Sequence, residues 1–200
     1  MRELISVSLP DRHAHREPAA ALLQLLDSVL EPRSCAYAAG PLDSGREHYD
    51  RMASGERRPM LRQDNEARLT AFVRVLRSRL GCPVFDPGLL RIPGWAGRDY
   101  GVFFLEVISK YVRECWFADG WEYSSGATKE FVFCCEITMP CFAESGEPLT
   151  ISEGARLIQE AAEYVHGLQL DDAKLRSRAD DLRRMALGTA REGHRRGGIR

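Results

Sequence analysis

The sequence predicts an α/β domain. It is a mostly parallel sheet of flavodoxin- or Rossmann-like, doubly wound architecture, extended by C-terminal helices. Three observations carry this reading. Short apolar runs that read as buried strands recur at "SCAYAAG" (34–40), "CPVFDP" (82–87), "CWFA" (115–118) and "TMPCFAE" (138–144). Segments of helical period separate them, and strands alternating with helices build a parallel sheet covered on both faces. The chain has 200 residues, 44% of them hydrophobic and 28% charged, which suits one such core with a helical extension.

The elements follow in order. Residues 17–31, "EPAAALLQLLDSVLE", space their apolar side chains as a helix does. The run 34–40 ends in Gly-Pro and reads as a buried strand meeting a loop. Residues 41–60, "PLDSGREHYDRMASGERRPM", read as a long, polar, charged loop. "EARLTAFVRVLRSRLG" (66–81) is an amphipathic helix on Leu69, Phe72, Val73, Leu76 and Leu80, closed by Gly81. After the strand at 82–87, residues 98–115 read as a helix entered at Asp99 and running into "CWFA". The stretch "DGWEYSSGATKEF" (119–131) then gives a turn and the start of a helix. Beyond the last strand, 150–167 is a helix capped by Thr150 or Ser152 with Glu153 in support. Roughly 171–190 is a second, with Leu175, Ala179, Leu182, Met185 and Ala186 on one stripe.

This order, αβαβαβαβαα, divides the chain. Residues 1–148 form the α/β domain with its N-terminal helical extension, and 149–192 form a C-terminal helical extension. Residues 193–200 form a basic, flexible tail. The apolar stripes of 150–190 need a partner, either the sheet or a second subunit, so a homo-oligomer is expected.

Composition excludes several classes. A net charge of −1 gives no global case for nucleic acid or a membrane surface. No stretch approaches the ~18 apolar residues of a membrane span. The N-terminal residues lack a basic-then-apolar signal pattern, so a cytoplasmic protein is expected. The six cysteines show no C-x-x-C pair and no zinc spacing. They read as buried thiols in a reducing compartment, and neither metal nor cofactor is expected.

Ligands of open α/β sheets bind beyond the carboxyl ends of the strands. That brings together the loops 40–60, 87–99 and 119–130. In the first, Gly40 and Gly45 permit close backbone approach, and Ser44 and Arg46 supply donors. They suit a phosphate, or form a plain solvated loop. In the third, Ser124 and Ser125 precede a helix, where they bind an anion or cap the helix. Glu130 lies about one turn into that helix, where the surrounding residues read as core. Glu106 lies among apolar residues of the preceding helix, either as a surface charge or facing the cleft.

These residues resemble the nucleoside 2-deoxyribosyltransferase-like superfamily, which includes 2′-deoxynucleoside 5′-monophosphate N-glycosidases and related nucleotide hydrolases. The resemblance covers roughly residues 34–144. Its members begin with a strand ending in an aromatic-x-x-Gly loop, similar to "YAAGPLDSGRE", with Gly-Arg at the place of Gly45-Arg46. Later they carry a strand, a Gly/Ser turn and a helix with an early nucleophilic glutamate, as in "SSGATKE". The resemblance implies that Glu130 is the nucleophile and that Glu106 is the acid/base or base-orienting group. Glu106 is matched through its place eight residues before Glu114. It also implies that Tyr37 positions Glu130 or the sugar, and that Ser44, Gly45, Arg46 and Ser124 hold a 5′-phosphate. Two features depart from the family pattern: Glu106 stands where Asp is usual, and bulky "FVFC" follows Glu130.

A carboxylate near C1′ stabilises or attacks the positive charge that develops when an N-glycosidic bond breaks. The expected ligand is therefore a nucleotide or nucleoside, cleaved or with its sugar transferred to another base. The alternative is a non-catalytic nucleotide-binding or interaction module of the same fold.

Overall fold

The chain is organised around a short strand with no solvent-facing side. β1 (Cys35–Ala39) is buried at all five positions. Its side chains alternate between two cores: Cys35, Tyr37 and Ala39 enter one, Ala36 and Ala38 the other. A computed structural model describes residues 16–55, 61–170 and 172–196. In it, β1 is flanked by β2 (Val84–Phe85) and β3 (Val112–Phe117), and β4 (Cys141–Ala143) lies beyond β3. All pairings are parallel and the order is β2-β1-β3-β4. This is a doubly wound, flavodoxin-like sheet, whose topological switch point falls between β1 and β3.

The helices are α1 (Arg16–Val29), α2 (Arg46–Ser54), α3 (Leu61–Leu80), α4 (Gly97–Tyr111), α5 (Ser125–Glu136), α6 (Ile151–Gly167) and α7 (Ala173–Arg196). α3 covers one face of the sheet, laying Leu69, Phe72, Val73 and Leu76 on Ala36, Ala38, Val84 and Trp116. The other face carries α4, α5, α6 and α7, with the apolar side of α1 packed at the margin. Thr150 caps α6 as its position predicts, its hydroxyl accepting from the Glu153 amide at 3.1 Å.

Four sequence expectations are corrected. The segment 41–60 is not one long loop, because α2 lies within it; residues 56–60 lie outside the described residues. α2 has only Tyr49 and Arg51 buried, so it shows no apolar period, and two glycines at positive φ fence it, Gly45 at 121° and Gly55 at 71°. The strand read as 115–118 begins at Val112, and the helix before it ends at Tyr111. A β-branched valine breaks the helical period without a glycine to mark the place. Glu114 therefore sits on β3 rather than at a helix end. Asp99 is not the first residue of α4 but the third, and its carboxylate reaches back to accept from the Ala96 amide at 2.8 Å. Finally, residues 193–196 continue α7 instead of starting a tail, and 197–200 lie outside the described residues.

The C-terminal helices share the core of the α/β unit. Leu175, Ala179 and Leu182 of α7 are fully buried in one cluster with Ile158, Ala162 and Val165 of α6 and with Tyr37, Phe131 and Cys134. The stripe is thus partnered within the chain; Met185 and Ala186, the remainder of the expected stripe, lie among side chains outside the description. Two buried leucines alone hold α7 in place by on the order of 3–6 kcal/mol. α6 meets α5 at Gly154, where an added Cβ would lie 2.0 Å from Phe131 Cε1. Phe131 is itself fully buried and has nowhere to retreat. Gly154→Ala should therefore cost about 1–3 kcal/mol and lower the melting temperature by several degrees in a thermal scan. An unchanged midpoint would mean that α6 and α5 are not this close.

Candidate functional site

Tyr37 and Glu130 meet where the middle of β1 faces α5. The Tyr37 hydroxyl donates to Glu130 Oε1 at 2.9 Å. Tyr37 is at the third position of the fully buried β1, and its ring stacks on Phe85 of β2 at 5.7 Å with Phe104 of α4 on its edge. Glu130 is held from the other direction by α5. Ser124 caps that helix, its Oγ accepting from the Ala127 amide at 3.3 Å, while Thr128 Oγ1 donates to the Ser124 carbonyl at 2.8 Å. Phe131, the next residue, anchors the helix against Phe117 and Trp121.

Only 8% of Glu130 is exposed. Burial pushes its carboxyl up to about 7, although the Tyr37 hydrogen bond and the charges of Lys129 and Arg178 pull the other way. Tyr37 is pushed well up as well, first by burial and then by the Glu130 charge, so the shared proton stays on the phenol and Glu130 accepts it. A carboxyl that ionises near neutrality can serve as nucleophile, base or acid.

The expected phosphate residues lie nearby but in a different setting. Gly45 and Arg46 start α2 rather than sitting in a free loop. With Ser44, they line a cavity of about 390 Å³ that also has Asp50, Arg68, Asp119, Glu122 and Tyr123 on its wall. Asn65, only 5% exposed, pins this segment by donating to the carbonyls of Leu42 at 3.0 Å and Ser44 at 2.9 Å. The Arg46 guanidinium stacks 4.4 Å over the Tyr164 ring, and the Tyr164 hydroxyl donates to Asp50. Burial raises the Glu122 carboxyl above its ordinary value. Gly40 faces the core, where a Cβ would meet Leu69 and Ala118 at 3.2–3.3 Å. Ser124 spends its hydroxyl on the cap, and Ser125 accepts from Arg178.

Of the three loops expected to converge, the segments after β1 and β3 share this cavity, and the one after β2 does not line it. Tyr37 and Glu130 do not line it either. Glu106 is exposed on the solvent side of α4, away from the buried face formed by Phe103, Phe104, Val107 and Ile108. Its expected place beside Glu130 in a pocket is not what the structure shows, because the helix turns that position outward.

Three polar residues of this region escape a reading by motif: Asn65, Arg68 and Arg178. Arg178 left a signal nonetheless. It falls on the same stripe of α7 as Leu175 and Leu182, where a charge has no reason to be unless it has a partner.

No family model, curated protein or solved structure matches the chain. The site is read from its own geometry.

That geometry sets a pH dependence. Glu130 binds its proton more tightly folded than unfolded, so between pH 4.5 and about 7 the folded chain holds more protons. Stability should therefore fall as pH rises through that window, by about 3 kcal/mol once the carboxyl is fully ionised. Glu130→Gln keeps an acceptor for Tyr37 and removes the charge. It should melt with the wild type near pH 4.5 and above it at pH 8; parallel curves at both pH values would show that Glu130 is not desolvated.

Proposed function

We propose that the protein cleaves the N-glycosidic bond of a nucleoside 5′-monophosphate, with Glu130 as the carboxylate that meets C1′. The observation that supports this best is the buried Glu130 carboxyl, fixed by the Tyr37 hydroxyl at 2.9 Å against the face of a parallel sheet. The ionised carboxylate attacks C1′ and expels the base, and water then releases the sugar; another base as acceptor would make the same step a transfer. Tyr37 holds one Glu130 oxygen and leaves the other for the reaction. With Glu106 turned to solvent, the departing base takes its proton from water. The 5′-phosphate is read by Arg46 beside the α2 amides, with Ser44 and Gly45 at the cavity wall. Six free thiols suit a reducing, cytoplasmic setting, and no described helix is long and apolar enough to cross a membrane.

A second reading is a nucleotide-binding module without catalysis. It is favoured by the separation between the cavity and the buried Tyr37–Glu130 pair.

Incubation with a panel of nucleoside and deoxynucleoside monophosphates, scored by chromatography of released base, separates the two. Base release that falls at least about a thousandfold in Glu130→Gln, with the fold intact, is the expected result. Binding without release in the wild type would leave the module reading in place. Arg46→Ala should weaken binding of the monophosphate about tenfold or more and leave the nucleoside nearly unaffected, measured by calorimetry. Equal losses would remove Arg46 from the phosphate site.

A further inference from the structure

The phosphate cavity does not end at its own wall. A second cavity, of about 460 Å³, adjoins it, and Pro41, Asn65, Arg68 and Asp119 line both. Pro41 follows β1 and Asp119 follows β3, so the two cavities meet in the crevice at the switch point. The second cavity runs along the α3 face of the sheet. Tyr37, and with it Glu130, belongs to the core on the other face.

One stripe of α3 builds the second cavity. Arg68, Phe72, Val75 and Arg79 recur at helical spacing, with Leu69 and Leu76 beside them. The floor is apolar: Leu69, Phe72, Leu76 and Ala118 are all buried. Val75 stands at the rim, 62% exposed. A guanidinium marks each end. Arg79 lies over the Trp116 ring at 4.8 Å, about 16 Å along the helix from Arg68. Arg68 stands at the junction of the two cavities. Arg62, further up the same helix, is taken by Asp43 and Glu66. Arg68 makes no ion pair or hydrogen bond among the described residues. The acids across the trough do not supply one, and Glu144 instead accepts from the Asp119 amide at 2.8 Å.

An apolar trough that begins at an unpaired cation fits a group of the same kind: an apolar body joined to an anion. The anion at Arg68 lies in the cavity already read as the seat of a 5′-phosphate, so one phosphate serves both arginines. Resting on that reading, we propose that the ligand does not stop at its phosphate. Its class is a nucleoside 5′-phosphate whose phosphorus carries a second, apolar ring group, and this group fills the α3 cavity. Arg46 and Arg68 hold the phosphate from two sides. The ligand crosses the crevice from the Glu130 face to the α3 face, and the chemistry at C1′ is unaltered. A bare monophosphate would leave the floor of Leu69, Phe72 and Leu76 facing water.

The test is calorimetry on the full chain with matched ligands: for each base of the panel, the 5′-methyl and the 5′-phenyl phosphodiester of the nucleoside. The two carry the same charge and differ in the ring alone. The phenyl ester is expected to bind at least about tenfold more tightly, because its ring is buried. Val75→Trp lays an indole across the trough from an exposed position and should bring the phenyl ester down to the methyl ester. In ¹H–¹⁵N spectra of the wild type, the phenyl ester should move the amides of Ala71 and Val75 and the methyl ester should not; this measurement needs no variant. Equal affinities, an advantage that survives Val75→Trp, or unmoved α3 amides each overturn the proposal and leave the glycosidase reading standing. If neither ester of any base binds, the phosphate assignment falls and the proposal with it. If the phenyl esters bind as expected and no nucleotide releases its base, the glycosidase reading falls while the two-compartment ligand stands.

Discussion

The hydrogen bond from Tyr37 to Glu130 is the contact on which the arrangement of this molecule turns. It ties the middle of the buried strand β1 to the helix that follows the switch point. Tyr37 has freedom neither to rotate nor to withdraw, because Phe85 and Phe104 fill the space around its ring. Glu130 has little more, because the turn before it is capped by Ser124 and the residue after it is packed on Trp121. A carboxyl taken out of water costs several kcal/mol unless it is neutralised or paired. The fold meets that cost with a phenol directly and with the charges of Lys129 and Arg178 at longer range.

Much of the fold was legible because its signals are local. The strand runs at 34–40 and 82–87, the caps at Thr150 and Ser124, and the apolar stripe of α3 are each written in a few neighbouring residues. α2 was not legible, since a helix that buries only Tyr49 and Arg51 has no apolar period to read. The joint between α4 and β3 was misplaced for a related reason: "KYVREC" satisfies both periods for several residues, and tertiary pairing with β1 decides. In the site, Glu130 stood out as an acid in apolar surroundings. Glu106 looked similar by composition, but a helix has a wet side, and only its phase relative to Phe103, Phe104 and Val107 shows that Glu106 is on it. Arg178 lies far from its partners Ser125 and Thr128 in sequence, and no motif spans such a distance.

α7 changes what the α/β unit presents. In an open doubly wound sheet the crevice at the switch point is free to solvent. Here Asp172 reaches Tyr49 on α2 and Arg178 reaches Thr128 on α5, so the helix bridges the segments that follow β1 and β3. Removing it would take away two buried leucines, a cation and the tie between the two loops at once. The C-terminal helices are accordingly no appendage to a finished domain.

The indole of Trp121 gives this arrangement a voice. It is 3% exposed, lies 4.8 Å from the Phe131 ring and closes the turn that leads into α5. Trp116, on the opposite face of the sheet, is buried too but lies beneath the Arg79 guanidinium at 4.8 Å. Trp95 is half-buried, at the edge of the Tyr100 and Phe103 rings. The three chromophores thus sit in unlike surroundings, and one of them is coupled mechanically to the residue beside Glu130. A shift of α5 moves the ring packed directly on Trp121, whereas Trp116 and Trp95 have their ring neighbours elsewhere, so the indole of Trp121 is the one whose surroundings report on the residue beside Glu130.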